Sequence, residues 1–259
     1  MRQIIKNKIK KFLPLAMKDY LSKINGLYLG GYKTKSFSQE GEDVVLNRIF
    51  DMINPDLKGF YVDVGAHHPF RFSNTYLFYK KGWSGINIDA MPKSMIPFKN
   101  KRPRDINIEV PISDQEDNLT YYIFNEPALN GFSKEFSIER DNNPKNNFYI
   151  KDTKKVNTRT LTSVLDDNIL PNQRIDFLTI DAEGYDLKVL HSLNFKKYKP
   201  VFILVEILES SFSNILNNEI SKFLISKKYY FFAKTVNTAF FCLSDSIDDL
   251  ALDYKRSVL

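Results

Sequence analysis

The chain is poor in the residues that staple small folds. It has one cysteine in 259 residues, Cys242, so no intramolecular disulfide can form and no cysteine-based zinc site can assemble. Cys242 stands in the apolar run Ala239-Phe240-Phe241-Cys242-Leu243 and reads as a buried strand residue, which fits a reducing compartment. No apolar run approaches the roughly 18–20 residues needed to cross a bilayer. The amino terminus shows no signal-peptide h-region, because lysines interrupt Ile4, Ile5 and Ile9. The expected location is cytoplasmic, peripheral to a membrane if the first segment binds one.

An excess of one charge is missing from most of the chain as well. The formal charge is +6, but residues 1–35 hold nine basic side chains against Asp19 alone, a local +8. The remainder carries 28 basic and 30 acidic side chains, net −2, and offers no broad attraction to nucleic acid.

What is present is an ordinary core-forming composition, 43% hydrophobic, arranged in two parts. Residues 1–35 form a basic amphipathic helical segment. Ile5, Ile9, Phe12 and Leu13 recur at helical spacing, Pro14 interrupts, and Leu15, Met17, Tyr20, Leu21 and Ile24 follow. Such a segment packs on the main domain, lies on a membrane surface or contacts another subunit.

Residues 36–259 form the main domain and alternate strands with helices. Helix 41–52 leads to strand 60–64; helix 74–81 leads to strand 85–89, and a third strand covers 106–112. A partly exposed strand spans 119–124. Residues 125–155 are Asn- and Lys-rich, a length that suits a lid or an acceptor-binding insertion. The pattern resumes with strand 156–160, helix 161–168, strand 175–180, helix 185–193, strand 201–205 and helix 217–226. Strands 229–233 and 239–243 close the domain as an antiparallel hairpin. The fold class is therefore α/β, a doubly wound and mostly parallel sheet with an antiparallel edge.

In such sheets ligands bind beyond the carboxyl ends of the strands. The first strand ends in Asp63-Val64-Gly65, where glycine permits close backbone approach. The second ends in Asp89-Ala90, where a carboxylate can grip a ribose diol. The third leads to Ser113-Asp114, placed to meet an adenine amino group. The fingerprint G-x-G-x-x-G is absent, since His67 and Phe70 stand at its later glycine places. The pyrophosphate cradle is thus missing, which disfavours hydride transfer and suits a cofactor without phosphates.

Six segments in order are similar to the FkbM-type methyltransferases. They are Ser38-Gln39-Glu40-Gly41-Glu42-Asp43, Tyr61-Val62-Asp63-Val64-Gly65-Ala66-His67-His68-Pro69, Ser73-Asn74-Thr75, Gly82-Trp83-Ser84-Gly85-Ile86, Ile112-Ser113-Asp114 and Ile180-Asp181-Ala182-Glu183-Gly184-Tyr185-Asp186. The resemblance spans about residues 36–245. It implies a Rossmann-like class I methyltransferase fold, S-adenosylmethionine as donor, and transfer to oxygen, often on sugars of surface glycans. On these matches Asp63 and Gly65 would line the methionine side of the donor. Asp89 and Ala90 would hold the ribose, and Ser113 and Asp114 the adenine. Gln39, Glu42, Asn74 and Thr75 would contact the amino-acid end.

A sugar hydroxyl is a poor nucleophile and needs a base or a metal. His68, Asp181, Glu183 and Glu206 all fall at strand ends on one rim and are the catalytic candidates. In one mechanism His68 or a carboxylate takes the hydroxyl proton directly. In the other, Asp181 and Glu206, joined by Glu183 or His68, hold a divalent cation: Mg²⁺ or Mn²⁺ on oxygen ligands, Mn²⁺ or Fe²⁺ if the histidine binds. Two further readings share the fold. One is a methyltransferase acting on nucleic acid or another small metabolite. The other is a non-catalytic module docked through residues 1–30.

Overall fold

A computed structural model describes residues 14–28, 33–141, 143–209 and 211–244. The chain divides into two compact units, 1–35 and 36–259. In the first, helix α1 (Leu15–Tyr28) begins directly after Pro14, whose carbonyl accepts from the Met17 and Lys18 amides. Proline starts this helix, because the first turn needs no N–H from it. The helix exposes Leu15, Met17 and Tyr20. Ile5, Ile9, Phe12 and Leu13 lie outside the described residues. No described helix is long and apolar enough to cross a membrane.

The second unit holds strands β1 (Phe60–Val64), β2 (Ser84–Asp89), β3 (Ile106–Glu109), β4 (Asn118–Phe124), β5 (Ile150–Asn157), β6 (Phe177–Ile180), β7 (Phe202–Glu206), β8 (Tyr229–Lys234) and β9 (Thr238–Leu243). Seven of them form one sheet in the order β3-β2-β1-β6-β7-β9-β8. The first five run parallel, and β9 and β8 close the sheet antiparallel. This is the doubly wound, Rossmann-like arrangement with an antiparallel edge that the alternation of elements implies.

Helices α2 (Glu42–Ile53), α3 (Tyr76–Lys80), α4 (Met95–Lys101), α5 (Lys134–Asp141), α6 (Leu161–Asn168), α7 (Asp186–His191), α8 (Phe212–Asn217) and α9 (Glu219–Ser226) connect the strands. Side chains alternate across each strand, so the sheet feeds two cores. Val62, Val64, Ile86 and Ile88 pack with Val164, Val189 and Leu224 on one face. Tyr61, Phe177, Phe202 and Cys242 pack with Leu46, Phe50 and Trp83 on the other. Trp83 fills this second core, and its indole N–H donates to the Leu57 carbonyl.

Four expectations need correction. The strand placed at 156–160 is instead β5, which pairs antiparallel with β4 in a separate two-stranded sheet. The third strand stops at Glu109, and only an isolated bridge joins Ile112 to Arg159. The helix placed at 217–226 is α9, which starts at Glu219 after Asn218 caps it by accepting from the Ile220 amide, and a short helix, α8, that the alternation did not indicate precedes it. Helix α4, which the alternation did not indicate, fills the crossover between β2 and β3.

Candidate active site

The carboxyl ends of β1, β2, β6 and β7 open into one cleft of about 510 Å³. It lies where the strand order reverses between β1 and β6, the expected ligand position in such a sheet. A narrow annex of about 40 Å³ shares Gln39, Phe72, Asp181 and Glu206 with it.

The floor is set by the turn after β1. Gly65 takes φ +83°, and a Cβ there would stand 1.8 Å from the Asp181 carbonyl oxygen, so only glycine fits. Both Asp89 oxygens are held by backbone. The His67 amide donates to one at 2.8 Å and the Met91 amide to the other at 2.7 Å. Burial raises the Asp89 carboxyl above its ordinary range, against these two bonds. Ile88, Ala90, Met91, Val110 and Ile112 form an apolar wall beside it.

Across the cleft stand Asp181, at the end of β6, and Glu206, at the end of β7. Burial first, then the charges of Asp186 and Glu183, push the Glu206 carboxyl up to about 7. Asp181 lines the cleft and is solvent-exposed, with other acids close around its carboxyl. Desolvation of that carboxyl, then the charges of Glu183, Asp186, Glu206 and Asp63, holds it well above the usual range. Asp186 accepts from the Ala182 and Gly184 amides and shapes the turn after β6.

Residues 118–157 make the roof. Arg140 of α5 pairs with Glu183 at 2.6 Å, and Glu126 pairs with Arg71 of the β1 turn at 3.3 Å. Gly184 has φ +87°, and a Cβ there would meet the Phe136 ring at 2.5 Å, so the roof helix rests on bare backbone. Tyr121 and Asn130 reach inward from the roof, with Asn130 accepting from the Phe124 amide. Burial, then the Asp89 charge, keeps the Tyr121 phenol protonated and able to donate.

Of the residues singled out from sequence, Gln39, Gly65, Asp89, Ala90, Asp181 and Glu206 line the cleft, and Glu183 joins them while paired to Arg140. Glu42 and Asn74 face the annex. Five others line neither space. Asp63 shares a strand face with Tyr61, not with Val62 and Val64, which turns it under α3. There it accepts from the Thr75 hydroxyl at 2.7 Å, and Thr75 in turn accepts from buried Arg102. Burial pushes Asp63 up to about 6, against the Thr75 bond and the Arg102 charge. Ser113 is buried and donates to Asp114, which points to solvent.

His68 is turned into its own loop, where Nδ1 accepts from the Arg71 amide at 3.0 Å; His67 is the histidine that lines the cleft. Asp181, Glu206 and His68 therefore do not converge. Among the described residues no three His, Cys, Asp or Glu side chains gather as metal ligands would. Arg140 and Asn130 lie in the stretch 125–155 that lacks regular alternation, and Tyr121 lies on the strand before it, where nothing in the sequence turns it toward the cleft.

No curated protein matches the chain. Residues 63–231 match the family model described as the methyltransferase FkbM domain. That span runs from Asp63 at the end of β1 to Phe231 in β8, and so includes the parallel strands beyond Asp63, the cleft floor and the roof. The protein is a methyltransferase of the FkbM family.

Proposed function

We propose that the protein transfers the methyl group of S-adenosylmethionine to a hydroxyl oxygen of a sugar. The supporting observation is a single cleft that presents Asp89 and its apolar wall on one side and Glu206 with Asp181 on the other. The lining suits this donor. Five carboxylates face two guanidinium groups, an acidic balance that favours a cation without phosphates and disfavours a polyanion such as RNA. S-adenosylmethionine, when bound, supplies a methyl carbon already activated by its sulfonium.

The chain's own residues then have separable tasks. Asp89 accepts from a ribose diol, and Ile88, Val110 and Ile112 cover an adenine. Gln39, Glu42 and Asn74 receive the amino-acid end in the annex. Glu206 stands at the transfer rim and takes the hydroxyl proton, while Asp181 beside it orients the acceptor. The roof, tied through Arg140 and Glu126, excludes water and fixes the approach of the oxygen. Phe72 and Phe148 at the rim offer flat faces to the C–H side of a sugar ring. The exposed apolar residues and lysines of α1 suit a peripheral contact with a membrane or another subunit, with the catalytic unit in the cytoplasm.

The test is transfer of labelled methyl from S-adenosylmethionine to nucleotide-sugars, oligosaccharides and RNA in parallel. Label appearing in a glycan ether supports the reading. Label appearing in RNA alone, or no affinity for the donor and its demethylated product, overturns it.

A further inference from the structure

Residues 1–35 form a compact unit of their own. Within it α1 carries Met17, Tyr20 and Ile24 three and four residues apart, on one stripe of the helix. Met17 is 50% exposed and Tyr20 is 64% exposed, which leaves much of the stripe uncovered. Lys18 and Lys23 stand to either side of it. Upstream, the sequence repeats the same spacing at Ile5, Ile9, Phe12 and Leu13 and interleaves it with Lys6, Lys8, Lys10 and Lys11. Asp19 is the one acid against nine basic residues in 1–35. The segment thus joins two features, an apolar stripe open to water and a dense positive charge.

We infer that α1, with the basic residues before it, docks the protein on an anionic bilayer surface. This narrows the peripheral contact of α1 to one partner and is independent of the donor and acceptor in the cleft. A second copy of the chain would bring the same local charge of +8, and like charges oppose close pairing. An RNA strand would meet the lysines but leave the apolar stripe in water. Anionic headgroups neutralise the lysines, while the boundary of the acyl chains takes up the stripe. Tyr20 suits that boundary, with its ring among the chains and its hydroxyl at the headgroups. At 14 residues, α1 is about 21 Å long, short of the roughly 30 Å hydrocarbon core, so it lies along the surface instead of crossing it.

The test is sedimentation of the full chain with vesicles of phosphatidylcholine alone, or of phosphatidylcholine mixed with equal parts phosphatidylglycerol. Binding to the mixed vesicles should exceed binding to the neutral ones about tenfold or more, and raised salt should weaken it. Two full-chain variants separate the two forces. Lys10→Gln/Lys11→Gln/Lys18→Gln/Lys23→Gln should bind mixed vesicles about a hundredfold more weakly. Met17→Ser/Tyr20→Ser, with its charge intact, should bind them about tenfold more weakly. A Tm equal to the parent's shows that each variant keeps the fold; where one melts early, the salt titration of the parent decides. Equal binding to both kinds of vesicle overturns the inference. So does a chain that ignores vesicles but self-associates through Met17 and Tyr20, or one that ignores vesicles but binds RNA. Methyl transfer to a soluble acceptor, assayed alongside, leaves the vesicle result untouched, so this inference and the donor reading stand or fall separately.

Discussion

Glu206 titrates near neutrality because it is buried among other acids, and this gives its role a pH signature. A base must be ionised to accept a proton, so kcat should rise with pH through about 7. Glu206→Gln should lower kcat by about 10²–10⁴ and flatten that limb, with the donor KM little changed; steady-state rates across pH 5.5–8.5 check this. Asp89→Asn tests the other side of the cleft. It removes the acceptor of a ribose diol and should weaken S-adenosylhomocysteine binding by about tenfold or more, read by calorimetry. Strand ends revealed Asp89, Asp181 and Glu206 in the sequence, because position in a βα unit dictates the rim. The choice between His67 and His68, and the side to which Asp63 turns, depends on a left-handed turn and on strand parity. Neither is fixed by residue type.

The roof is an element whose seat depends on glycine. Gly184→Ala should cost about 1–3 kcal/mol, since the added methyl meets the Phe136 ring and the backbone is left-handed. Phe136→Ala in the same chain should recover part of that loss, and denaturant melts of the single and double variants show the coupling. A second element test concerns α4, anchored by Arg102. This side chain is fully buried and binds Asp105, Tyr61 and Thr75. Arg102→Met leaves Asp105 and Asp63 without their cation and should destabilise the fold by about 3–5 kcal/mol, measured by the same melts. Helix α4 hid in the sequence behind Pro92 and Pro97. The latter falls in its first turn, where a missing N–H is harmless. The β4–β5 hairpin hid for another reason. Its strands are separated by α5, and β5 is largely exposed and lysine-rich, so no apolar alternation marks it.

Over the whole molecule, several buried acids make stability depend on pH. Asp63 and Asp186 titrate near 6 and Glu206 near 7, all above their unfolded values of about 4. Groups raised in this way contribute fully below their unfolded values, and that contribution is lost as pH climbs from about 4 through the folded values of about 6 to 7. The ligand-free Tm should therefore fall between pH 5 and pH 8. A bound sulfonium donor, which compensates the ionised cleft acids, should make the decline shallower; melting scans with and without S-adenosylmethionine compare the two. The chain's division at residue 35 adds one more expectation. Residues 36–259 alone should keep their fold and donor affinity, testable by circular dichroism and calorimetry. Cys242 offers an intrinsic gauge for these measurements. The sole sulfhydryl sits on an interior strand with no exposed surface, and burial pushes it up to about 12. A chromogenic disulfide reagent can react with it only after the sheet has come apart. The speed of colour development therefore clocks global opening under native conditions, without any label having been introduced.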